Sequence, residues 1–69
     1  MPTQTEWEMK AANLLKAELK RQGVTYAQLA ECIGDKEVNV RNKLSRGKFS
    51  AAFFIQSLTA IGASTVHLG

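Results

Sequence analysis

Two side-chain amides, Asn39 and Asn42, stand three residues apart in a stretch that also holds Arg41, Lys43, Ser45 and Arg46. A side-chain amide carries a donor and an acceptor that together match an adenine edge, and a guanidinium forks onto guanine. Val38 adds methyl groups of the kind that meet a thymine methyl. If the segment is helical, side chains three and four apart share a face. Taking about 100° per residue from the helical repeat, Val40 and Leu44 then form one edge. Val38, Asn39, Asn42 and the Ser45-Arg46 end lie opposite them. Val38, Asn39, Arg41 and Asn42 are the expected base contacts. Thr25, Tyr26, Gln28, Lys36, Lys43, Ser45, Arg46 and Lys48 are the expected phosphate contacts, the first three helped by a helix N-terminus. No catalytic residue is expected, because no histidine is placed to activate the serines. His67 is the single histidine and Cys32 the single cysteine, so no metal site, disulfide or cofactor is expected.

Helix caps predict the elements that must hold these side chains. Thr5-Glu-Trp-Glu8 fits a capping box, and a first helix is read from about Glu6 to Gln22, ended by Gly23. Its apolar stripe is Trp7, Ala11, Ala12, Leu14, Leu15 and Leu19. Thr25-Tyr-Ala-Gln28 is a second capping box, with Val24 placed to staple onto Leu29, and it opens a helix over 26–33 that Gly34 stops. Asp35 is the expected N-cap of a third helix over 36–46, closed by Gly47. Ser50 caps a fourth helix over 51–61, with Phe49 stapled on Phe54. The tail, 63–69, fits a strand, a turn or a frayed end equally well. The whole chain, 1–69, reads as one domain with no internal repeat.

Sixty-nine residues bury about 60% of their unfolded surface, so such a domain is marginal alone. The formal net charge is +3, which favours a polyanion without identifying one. Placement says more. Segment 36–48 sets Lys36, Arg41, Lys43, Arg46 and Lys48 against Glu37 alone, and from Phe49 onward there is no Asp, Glu, Lys or Arg. The fourth helix is apolar around much of its circumference, as a buried helix is. Phe54, Leu58 and Ile61 are read as its inward side. Phe53 and Ile55, joined by Trp7, Val66 and Leu68, are expected to meet a second copy in a homodimer. No run is long enough to span a bilayer, and the first residues lack a signal-peptide pattern. A cytoplasmic, nucleoid-associated setting is the expectation. No effector pocket or small-molecule ligand is expected.

Residues Leu15 to Leu68 resemble the phage-repressor and Cro type of bacterial helix-turn-helix. The matching residues are Lys20-Arg21, Gly23-Val24-Thr25, Leu29-Ala30, Gly34 and Arg46-Gly47. The chain departs from that pattern with Tyr26 where glutamine usually braces a phosphate. It has Asp35 where a hydrophobic residue usually enters the core, and one extra residue between Gly34 and Gly47. The block from Val40 to Phe54 also looks like a group of short bacterial proteins with no assigned function. The resemblance implies an all-α, lambda-repressor-like bundle of four to five helices. It further implies sequence-specific binding of double-stranded DNA by a small transcriptional regulator acting as a homodimer.

Two other functions compete. The uncharged fourth helix and tail also suit a protein-binding module, an assembly adaptor or an antitoxin-like partner without DNA binding of its own. RNA binding ranks below both, because single-strand readers display stacking aromatics and Tyr26 is the one aromatic near the site.

Overall fold

The structure, a computed structural model, describes residues 4–63, with side chains from Glu6 onward. Those residues form four α-helices and no strand: α1 (Gln4–Gln22), α2 (Tyr26–Ile33), α3 (Glu37–Arg46) and α4 (Ala51–Ala60). The chain is an all-α bundle. α1 and α2 each pack against both α3 and α4.

Local chemistry sets most of the boundaries. Both halves of the α2 capping box form: the Gln28 N–H donates to Thr25 Oγ1 at 3.1 Å, and the Thr25 N–H donates to Gln28 Oε1 at 2.9 Å. Ser50 caps α4 by accepting the Phe53 N–H at 3.0 Å. The expected Phe49–Phe54 staple is present, with ring centroids 6.1 Å apart and nearly parallel. Three expectations are corrected. α1 opens at Gln4 rather than Glu6, so Thr5 belongs to the helix instead of capping it. α4 stops at Ala60, with Ile61 as its C-cap. The N-cap of α3 is Lys36, not Asp35, and α3 starts at Glu37. The reason is that Asp35 is already committed to closing α2. Its N–H donates to the Ala30 carbonyl at 2.9 Å while Gly34 sits at φ +72°, which is the Schellman ending.

The core gathers Leu15 and Leu19 of α1, Leu29 and Ala30 of α2, Val40 and Leu44 of α3, and Phe53, Leu58 and Ile61 from α4 and its cap. Phe53 is a correction. It was expected at a dimer interface, yet it is only 7% exposed and belongs to the protomer's own core. Phe54, expected inside, is half-buried at the margin. Ser57, one turn on from Phe53, is fully buried, and its hydroxyl has no hydrogen-bond partner among the described residues. The inner stripe of α4 is thus Phe53, Ser57 and Ile61 flanked by Leu58. Ile55 and Trp7 are 62% and 55% exposed. Val66, His67 and Leu68 lie outside the described residues.

Candidate nucleic-acid interface

The three-residue connection Gly34-Asp35-Lys36 joins α2 to α3, and the two helices pack against each other. Val40 and Leu44 are fully buried, which orients α3. Val38, Asn39, Arg41, Asn42, Ser45 and Arg46 are all solvent-exposed on the same helix. Ten residues at 1.5 Å each make α3 about 15 Å long. The outward face therefore carries the residues expected as base contacts, uncovered by any other described element. Val38 is 57% exposed, so most of its side chain is open to solvent.

The neighbouring polar groups are not all free. The Asp35 carboxylate is the hub of the turn. Its Oδ1 accepts the Lys36 N–H at 2.8 Å and the Asn39 Nδ2–H at 3.0 Å, and its Oδ2 accepts from Lys43 Nζ at 3.2 Å. The Asn39 amide, then the Lys36 N–H and the Lys43 ammonium, hold the Asp35 pKa down from its ordinary 3.8 to about 2. Hydrogen bonds to the ionised form favour that form. A negative group at the start of α3 also suits the helix dipole.

The basic residues divide into two groups. Arg41 pairs with Glu37 one turn earlier, and its guanidinium lies 5.9 Å from the Tyr26 ring centroid. Lys43 is half-buried, pairs with Asp35 and sits 4.6 Å from the Phe53 ring centroid. Lys48 pairs with Glu8 at 2.6 Å, tying the α3–α4 connection to α1. Lys36, Asn42, Ser45 and Arg46 are exposed, and among the described residues no hydrogen bond or ion pair holds their side chains. Thr25 and Gln28 are engaged in their reciprocal cap. Tyr26 is half-buried against the core, so its ring acts more as a shelf for Arg41 than as a free surface group.

Sequence reasoning missed three acids that shape this surface. Asp35 was read as a cap and as a departure from the family pattern, and Glu37 only as a lone charge. Glu37 stands four residues before Arg41, a spacing that signals a helical ion pair. Glu8 meets Lys48 across 40 residues of sequence, and no local pattern announces that contact.

Among the described residues no group of three His, Cys, Asp or Glu side chains is placed to hold a metal ion. Cys32 is a free, exposed thiol on α2. No helix among the described residues is long and apolar enough to cross a membrane.

Comparisons with curated proteins and with solved structures give no match. A family model described as a domain of unknown function, DUF6471, matches residues 7–66, which takes in all of α2, α3 and α4 and most of α1. The chain belongs to the DUF6471 family.

Proposed function

We propose that this chain binds double-stranded DNA by laying the outer face of α3 in the major groove, as a small bacterial transcriptional regulator. One observation carries the reading. The buried Val40–Leu44 edge turns an uncovered row of valine, amide and guanidinium groups outward from a helix about 15 Å long. A B-form major groove about 12 Å wide admits such a helix, and those side-chain types match its donor, acceptor and methyl pattern. Val38, Asn39, Arg41 and Asn42 take the base edges in this reading. Arg46, Lys36, Ser45 and Lys48 take phosphates, with the start of α2 as a further backbone contact.

A homodimer belongs to the same proposal. Exposed Ile55 and Trp7 offer apolar area that a two-fold partner covers, and two copies of α3 would then sit about one DNA turn apart. The exposed apolar pair also favours the competing protein-binding reading. That reading gains if a stoichiometric protein partner co-purifies and no DNA is retained.

The test is a fluorescence-anisotropy titration against DNA selected from a random pool, repeated across salt concentrations. Affinity should fall steeply with added salt, because neutralised phosphates release counterions. Arg46→Ala should weaken binding to all sequences alike and flatten the log–log salt slope by about 0.9. Absence of binding, or binding indifferent to salt, would remove the proposal.

A further inference from the structure

We propose that Asp35 is a positioning residue for base reading, which fixes the direction of the Asn39 amide and withdraws Lys43 from the phosphate contacts; this rests on the DNA-binding reading above. An ionised carboxylate only accepts hydrogen bonds, whereas an asparagine amide has a donating and an accepting end. A free surface amide can turn either end toward a ligand. Here Asp35 Oδ1, anchored by the Lys36 N–H at 2.8 Å, takes one Asn39 N–H at 3.0 Å. The nitrogen of Asn39 must therefore face the turn. One N–H and the carbonyl oxygen remain, which is the pair that an adenine N7 and N6 amino group call for.

The other oxygen does different work. Asp35 Oδ2 holds Lys43 at 3.2 Å while the ammonium rests 4.6 Å from the Phe53 ring centroid. Lys43 is thereby drawn toward the protein and adds little to sequence-independent attraction. One side chain raises discrimination at a base pair and lowers affinity for arbitrary DNA.

Two substitutions separate these effects. Asp35→Asn keeps an oxygen able to accept from Lys36 and Asn39 but presents an amide nitrogen toward Lys43. Asp35→Ala removes both links. On the selected DNA, wild type should prefer its adenine-containing pair by about tenfold over other pairs at one position. Asn39→Ala should abolish that preference. Asp35→Ala should cut it to about twofold, and Asp35→Asn should keep most of it. Both Asp35 variants should bind non-selected DNA more tightly at low salt, with a log–log slope steeper by about 0.9 from the freed lysine. The Asn39 side-chain amide signals of the free protein, followed by NMR, should shift in Asp35→Ala and move far less in Asp35→Asn. Circular dichroism confirms that each variant is folded. Discrimination unaffected by Asn39→Ala or by Asp35→Ala would overturn the positioning role while leaving DNA binding intact. A wild-type protein without salt-dependent DNA binding would instead fail the underlying reading, and this one with it.

Discussion

Gly47 is where the end of α3 lies against α1, and replacing it with alanine should cost more than any other glycine substitution among the described residues. The residue ends α3 at φ +70°, donating its N–H to the Lys43 carbonyl at 2.9 Å. Left-handed backbone costs an L-residue roughly 1–2 kcal/mol. That term is shared by Gly23, Gly34 and Gly62, whose φ values are also positive. Space separates them. A Cβ at Gly23, Gly34 or Gly62 meets nothing within 4 Å. At Gly47 it would lie 2.9 Å from the Glu8 carbonyl oxygen, 3.0 Å from the Glu8 carbonyl carbon and 3.1 Å from Met9 Sδ. The sulfur can swing away, but the Glu8 backbone sits inside α1 and cannot, so α3 and α1 must part. Overpacking of this kind adds about 1–3 kcal/mol. Gly47→Ala should therefore cost about 2–5 kcal/mol and Gly23→Ala about 1–2. The loss of unfolded-state freedom is common to both and cancels. A chain of this length has a total stability of roughly 3–10 kcal/mol, so Gly47→Ala should remove about half of it and lower the urea midpoint in proportion. Urea titration followed by circular dichroism measures both variants. Equal losses at Gly47 and Gly23 would refute the close α1–α3 contact and with it the placement of Arg46.

Ser57→Ala should stabilise the fold by about 1–2 kcal/mol, because it deletes a buried hydroxyl that lacks a partner and opens almost no cavity; a lower urea midpoint would show that the hydroxyl is satisfied after all. Asp35 has a folded-state pKa lowered to about 2, so its contribution is complete above the ordinary carboxylate value and fades as pH falls through about 4 toward 2. The melting temperatures of wild type and Asp35→Asn should accordingly converge on acidification across that window, and a gap that stays constant would contradict the bonding at the turn. Ile55→Glu should leave the monomer folded, since Ile55 is 62% exposed, but should shift a homodimer to monomer in analytical ultracentrifugation. A mass unchanged from a dimeric wild type would move the interface elsewhere.

Elements with a local chemical signature were legible in the sequence. The α2 boundaries match residue for residue, because Thr25, Gln28 and Gly34 specify them by reciprocal capping and a left-handed stop. The inward pair of α3 was legible because Val40 and Leu44 are the apolar residues one turn apart in that helix, with Val38 off their edge. Misreadings arose where one residue had two possible duties. Asp35 has the composition of an N-cap, but its N–H was needed to close α2, which moved the cap to Lys36. In α4 Leu58 and Ile61 face inward and Ile55 outward as read, but Phe53 and Phe54 were exchanged, because apolarity alone cannot choose between adjacent phenylalanines. The true inward stripe includes Ser57, which a count of hydrophobic residues rejects. Glu18 was invisible in the same way: it is buried on α1 and paired with the exposed Arg21. The Lys48–Glu8 tie depends on α1 crossing the α3–α4 connection, a tertiary fact with no sequence period.

The charge placement in the structure refines what a basic segment means for this chain. Five cations against one acid in residues 36–48 suggested an open electrostatic footprint. Three of the five are in fact matched to carboxylates, two of which, Asp35 and Glu8, lie outside that segment. The pairs are not equivalent. Exposed pairs such as Arg41–Glu37 and Lys48–Glu8 contribute about 0–1 kcal/mol, so a phosphate can replace the carboxylate at small cost. Lys43 is half-buried and held from two sides by Asp35 and the Phe53 ring, so releasing it costs more. Arg46 and Lys36 are therefore the first cations available to a backbone, Arg41 and Lys48 the second, and Lys43 the last. If the chain binds DNA as proposed, such an ordering weakens attraction to an arbitrary duplex more than attraction to one whose bases also engage Asn39 and Asn42. A net charge of +3 spread without these partners would hold any polyanion. With them, on the DNA-binding proposal, the outward amides would decide which duplex keeps the protein.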